Sequence, residues 1–285
     1  MIVLLALASA LFYGAADFCG GFTARKTSTI ATVFVSQLAG FVPVLLALPF
    51  LPAAHVSNSD WLWGVIAGLS GGIGVALLYQ ALAIGTMAVV APITAVCAAM
   101  IPVIVAFLLG ERLRHSAIIG IALAFAAIAL VSQPSTRSRD RSSNLGSSSS
   151  SLLLALLAGI VVGLFFLSLA RTTTGAGMWP LIAARITSVV LFGSYALTTG
   201  QSLKMNGTAT KIAVTGGVLD MLANIVYMLA ARAGPLSIVV TLASLYPAGT
   251  VILARIVLRE RLSLAQVLGI VCAVVAVLLI VTPGN

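Results

Sequence analysis

Glu111-Arg112-Leu113 recurs 149 residues later as Glu260-Arg261-Leu262, and the same offset lays Ala81 on Ala230, Gly85 on Gly234 and Gly120 on Gly269 without a gap. Register held over that length marks an internal duplication. The surroundings of these anchors are almost wholly apolar: of 285 residues, 61% are hydrophobic and 7% charged, against roughly 45–50% and about 25% in soluble domains. The duplicated unit is therefore a membrane unit. A hydrocarbon core takes about 20 apolar residues per helix. Hydropathy and breakers then give ten spans: Ile2 to Phe18, Ile30 to Leu51, Trp61 to Ile84, Val89 to Leu109, Ala117 to Val131, Leu152 to Leu169, Met178 to Leu197, Ile212 to Ala231, Leu236 to Leu258 and Leu264 to Val281.

Each half carries five spans, and an odd number of crossings makes the second half enter the bilayer with the opposite orientation. The expected fold is an all-α integral membrane protein of ten transmembrane helices in two inverted five-helix repeats. Residues 1–131 form the first repeat and 152–285 the second. Between them, 132–151 is rich in Ser and carries Arg137, Arg139, Asp140 and Arg141. It has too little apolar surface to pack and reads as a flexible linker.

The net charge of +9 does not point to nucleic acid, because the basic residues are scattered between apolar runs and suit loops beside a membrane. Cys19, Cys97 and Cys272 share no C-x-x-C spacing and read as packing residues. The run from Ile2 to Phe18 has no preceding basic residue and leads straight into further apolar segments, so it reads as a first span and not a cleaved leader. There is no metal-ligand spacing, P-loop or dinucleotide fingerprint, so no metal or cofactor is expected. Gly68-Leu69-Ser70-Gly71-Gly72 matches G-x-S-x-G, the pattern of a serine nucleophile. That reading needs a base, and His55 and His115 both fall in connections at span ends. An intramembrane serine protease is thus disfavoured.

Ionisable side chains at membrane depth cost at least about 2.5–3.5 kcal/mol each on insertion scales, which singles out a few residues. Asp220 lies near the middle of the eighth span, with Asn224 and Tyr227 at i+4 and i+7 on its helix face. Together they read as the polar lining of a wet cavity, or as a network locking two helices. Asp17 lies late in the first span with Tyr13 four residues before it, where it serves a cationic group or a proton if it faces the interior. Arg185, in the seventh span, is the natural counter-ion for one of these acids or for a solute carboxylate. Tyr79, Gln80 and Tyr246 offer further polar tips. Glu111 and Glu260 stand at repeated helix ends, where a carboxylate satisfies orphan amides of the following helix. Gly64, Gly68 and Gly72 recur every four residues and allow close helix contact. Pro92, Pro102 and Pro247 should bend the fourth and ninth spans, as rocking gates require.

Leu78 to Gly85, Ala91-Pro92, Pro102 and Gly110 to Leu113, with Tyr227 to Gly234, Leu245-Tyr246-Pro247 and Arg259 to Leu262, resemble the drug/metabolite transporter superfamily, specifically two tandem EamA-type repeats. Leu11 to Arg25 and Trp179 to Arg185 are similar to that family as well. One departure stands out: similar repeats often carry an Arg in the second span of each half, whereas the first half here offers Ser36-Gln37. The resemblance implies a secondary transporter in the bacterial plasma (inner) membrane. It would export a small polar or amphipathic metabolite or drug by alternating access, with a proton as candidate coupling ion. A facilitated or ion-coupled importer is the alternative, and a membrane scaffold the non-transport one. The expected partners are the small-molecule solute, protons and the lipid bilayer. The resemblance also implies cytoplasmic termini. The loops after odd-numbered spans hold nine Lys and Arg against four after even-numbered spans, which by the positive-inside rule puts the termini outside.

Overall fold

The computed structural model describes residues 1–50, 55–108, 115–131, 145–233, 239, 243, 245–260 and 262–281. Its helices are α1 (Ile2–Ala24), α2 (Thr29–Ala39), α3 (Phe41–Ala47), α4 (Asn58–Ile84), α5 (Met87–Leu108), α6 (His115–Val131), α7 (Leu145–Ala170), α8 (Trp179–Thr199), α9 (Gly207–Ala233), α10 (Tyr246–Val257) and α11 (Leu264–Val281). The last coincides with the tenth expected span. Six segments are long and apolar enough to cross a membrane, and four shorter apolar helices accompany them. Large apolar side chains such as Leu4, Leu11, Leu62, Val190 and Ile252 cover the outside, as a hydrocarbon solvent requires.

The duplication is visible in which helices touch. With α2 and α3 counted as one span, each helix of the first half has a counterpart five spans later. The α4–α7 contact is mirrored by α9–α1, α5–α7 by α10–α1, and α4–α8 by α9–α2, while α6 pairs with its own counterpart α11. An exchange of this kind is the packing signature of two inverted five-helix repeats wrapped around a pseudo-two-fold axis.

Small residues make these crossings. The glycine stripe of α4 lies on α8: a Cβ at Gly64 would fall 2.8 Å from Ala183 Cβ, and one at Gly68 would fall 2.5 Å from the Ala184 carbonyl. At Gly72 it would fall 3.0 Å from Ser188 Cβ. Gly217, one repeat offset from Gly68, gives the mirrored crossing on the backbone of Ser36 in α2. Buried hydroxyls add interhelical bonds: Ser9 Oγ donates to the Ala223 carbonyl at 3.0 Å, Ser36 Oγ to Ala213 at 3.1 Å and Thr250 Oγ1 to Gly14 at 3.1 Å. Without a hydrophobic driving force between helices, close packing and such bonds hold a bundle together.

Three expectations change. The second span is two helices that abut at Gly40, with Pro43 unable to donate to the preceding turn, and a 3₁₀ turn at Leu48–Phe50 after them. Helix α7 begins at Leu145, inside the segment 132–151 expected to be linker. Its Ser151 is buried and packs at Gly85, a contact that anchors the first turns; residues 132–144 lie outside the described ones. Pro247 does not bend a helix, because α10 begins at Tyr246 and Pro247 sits in its first turn, where its missing N–H leaves no bond unmade. Helix α5 runs through Pro92 and Pro102 as one helix. Gly110-Glu111-Arg112-Leu113 and Leu236 lie outside the described residues.

Candidate functional site

Arg185 is buried in α8, and its guanidinium reaches two other helices. It ion-pairs with Asp220 of α9 and donates to Gln37 Oε1 of α2. The head fits because position 40 is glycine: a Cβ there would lie 3.1 Å from Arg185 Cζ. Burial of a lone guanidinium would be prohibitive, and the carboxylate with the amide satisfies it. The pair is not sealed, since the Asp220 side chain keeps 22% of its surface exposed against 9% for Arg185. The acid is therefore the member that faces open space.

One turn on, Asn224 extends the network. Its Nδ2 donates to the Asp220 main-chain carbonyl at 2.8 Å, and its Oδ1 accepts from Tyr13 Oη of α1 at 2.9 Å. The Tyr13 ring meets the edge of Tyr246 of α10 at a centroid distance of 6.1 Å. A polar chain thus runs from Gln37 through Arg185, Asp220 and Asn224 to Tyr13, whose ring then meets that of Tyr246. It joins α2, α8, α9, α1 and α10, elements of both halves.

Asp17 lies one turn from Tyr13 on the same face of α1, half-buried, between glycines that receive other helices. A Cβ at Gly14 would meet the Tyr246 carbonyl at 2.6 Å, and the ring of Tyr79 from α4 packs on Gly20. The charges of Asp17 and Asp220 act on one another and on the hydroxyls of Tyr13 and Tyr79, so one electrostatic neighbourhood holds both acids. Tyr227 packs with Ala6, Ala230 and Val239 near the start of α1, and its hydroxyl still acts on that of Tyr13, which puts it at the edge of the network. Gln80 accepts from Thr29 Oγ1 and lines an outward-facing pocket of about 420 Å³ with Ile73, Leu77 and Phe192. It stands about 80–120° around α4 from the Gly68 and Gly72 contacts at 100° per residue.

The site is not repeated. The position one offset before Asp220 is Gly71, where a Cβ would fall 2.8 Å from Cδ2 of the Phe165 ring. Phe165 and Phe166 close the pseudo-symmetric place with aromatic surface, their centroids 5.2 Å apart. Ser70, within the G-x-S-x-G pattern, donates to the carbonyls of Ile66 at 2.8 Å and Ala67 at 3.3 Å. Its hydroxyl is used inside its own helix, and the adjacent glycines serve packing.

Glu260 differs from expectation. It does not cap the following helix: α11 is capped by its own residues, with Ser263 N–H donating to Gln266 Oε1 at 3.0 Å and Gln266 N–H to Ser263 Oγ at 3.2 Å. Glu260 instead crosses to the other half and accepts from the N–H groups of Met87 and Ala88, at 3.0 and 3.1 Å, at the start of α5. Arg25 completes the knot, pairing with Glu260 at 3.2 Å and donating to the carbonyls of Leu82 at 3.1 Å and Gly85 at 2.7 Å. At the opposite face Asp60 closes a capping box with Ser57 and accepts from Thr173 N–H at 2.7 Å. Neither tie was expected. Gln37 was visible as an amide within an apolar span, but Gly40 carried no signal.

Inverted helical repeats around an off-axis polar centre define a polytopic carrier architecture. The chain belongs to the EamA-like transporter family, whose model matches residues 1–133 and 149–282, one copy in each half. It is therefore an integral membrane transporter of small solutes. Among solved structures, one described only as the crystal structure of a protein is similar over 98% of this chain and 95% of its own, with TM-score 0.63 and 17% identity. That likeness concerns the fold alone. No curated protein matches in sequence.

Proposed function

We propose that the protein is a secondary exporter of the bacterial plasma membrane that moves a small polar or amphipathic solute by alternating access, coupled to proton exchange. The observation that carries this reading is the Arg185–Asp220 pair on a polar chain spanning both halves, with the acid still open to space. Arg185 is held by both Asp220 and Gln37, so an arriving solute or proton can take up Asp220 without leaving the guanidinium wholly unpartnered. Rocking of the two repeats about their glycine crossings then exposes the centre to either face. The test is Asp220→Asn in proteoliposomes under an imposed pH gradient. Folded protein with gradient-driven flux reduced at least tenfold is expected. Unchanged flux with unchanged pH dependence removes Asp220 from the mechanism.

A further inference from the structure

The two ion pairs among the described residues, Arg185–Asp220 and Arg25–Glu260, leave two described acids over, of which Asp60 is satisfied by Ser57 and Thr173 at the start of α4. Asp17 is in neither, and no described side chain or amide donates to its carboxylate. The residue lies seven positions before the end of α1, about 10 Å into the helix at 1.5 Å per residue. An unpaired carboxylate at that depth is costly, so the position calls for a cation that comes and goes.

The helix geometry fixes what surrounds it. At 100° per residue, Gly20, Tyr13, Asp17, Gly21 and Gly14 fall in order along one arc of α1. Gly20 receives the Tyr79 ring, Gly21 receives Leu82 and Gly14 receives the Tyr246 backbone. Tyr13 Oη donates its hydrogen bond to Asn224 Oδ1, and its ring stands edge-on to that of Tyr246. The carboxylate therefore stands in the middle of an arc bordered by α4, α9 and α10, with the Tyr13 and Tyr79 rings on one side and the Tyr246 backbone on the other.

We propose that Asp17 is the seat of a positively charged nitrogen on the transported solute, which makes the solute class organic monocations such as primary amines. The carboxylate supplies the counter-charge, and the neighbouring rings of Tyr13 and Tyr79 supply cation–π attraction in a partly desolvated place. A neutral solute of the same shape leaves the Asp17 charge uncompensated, and a carboxylate solute is repelled by it. This rests on the transport reading above and adds the solute class to it.

The test uses purified full-length protein in detergent and three matched probes: benzylamine, benzyl alcohol and benzoate. Thermal stabilisation and calorimetric binding are read for wild type, Asp17→Asn and Asp17→Glu, with the same probes followed as flux from proteoliposomes. Benzylamine is expected to bind wild type at least tenfold more tightly than either other probe, to lose that advantage in D17N and to keep part of it in D17E. Equal binding of the three probes to wild type overturns the inference even if D17N does not fold, and so does undiminished benzylamine binding in folded D17N. Selective, Asp17-dependent binding without any flux supports the cation seat and counts against transport alone.

Discussion

Glu260, from the connection after α10, receives the N–H of Met87 at 3.0 Å, so the second half of the chain caps a helix of the first. The bond lies on the face where Arg25 also binds the α4–α5 turn. One carboxylate and one guanidinium thereby tie the ends of α1, α4, α5 and α10 together. Charge-assisted bonds of this kind contribute about 1.5–3 kcal/mol each, and partial exposure of Arg25 lowers its share.

Glu260→Ala frees two helix-terminal amides and the Arg25 head at once. Thermal unfolding in detergent should show a loss of about 2–4 kcal/mol for it, with E260Q losing less because an amide oxygen still accepts from one N–H. Equal stability of E260A and wild type would remove the tie from the account.

The Arg185–Asp220 pair should behave non-additively. Removing one partner of a buried pair costs about 3–5 kcal/mol, since the other charge remains without compensation. Arg185→Gln alone is therefore expected to melt well below the R185Q/D220N double variant, with Asp220→Asn milder because Gln37 still accepts from Arg185. Stabilities that simply add would show that the two residues do not interact.

The glycine crossing between α4 and α8 has no room to give. Gly68→Val places methyl groups against the Ala184 backbone, and overpacking of a tight contact costs about 1–3 kcal/mol or more. Gly207→Ala, where nothing lies within 4 Å, is the neutral control. Loss of folded protein for G68V and not for G207A, read by size-exclusion yield and melting, is the expected result; equal behaviour of both would deny the crossing its role.

Much of the architecture was legible because lipid imposes simple rules. Long apolar runs gave the spans, with α11 matching to the residue, and the Glu111 and Glu260 register gave the duplication before any helix was placed. Arg185 and Asp220 stood out by the cost of their charges, and they do meet. What a helix wheel gives is a face, not the neighbour covering it. Gln80 therefore meets Thr29 and an outward pocket where the wheel alone groups it with Tyr79, and Glu260, read as a cap of the next helix, has its partner in the other half. The break at Gly40 and the start of α7 at Leu145 depend on tertiary contacts, with Arg185 and with Gly85, that no local pattern encodes.

The central claim is that the polar chain at mid-depth faces water from which a solute can arrive. In a variant with Cys19, Cys97 and Cys272 replaced by Ala, a cysteine at Asp220, the member of the chain that is open to space, should react with a small hydrophilic methanethiosulfonate. A cysteine at Val190, which lies 61% exposed on the outer apolar surface, should not. Reaction at 220 but not at 190 is the expected result; an inert thiol at position 220 in folded protein, in vesicles of either orientation, would contradict the account.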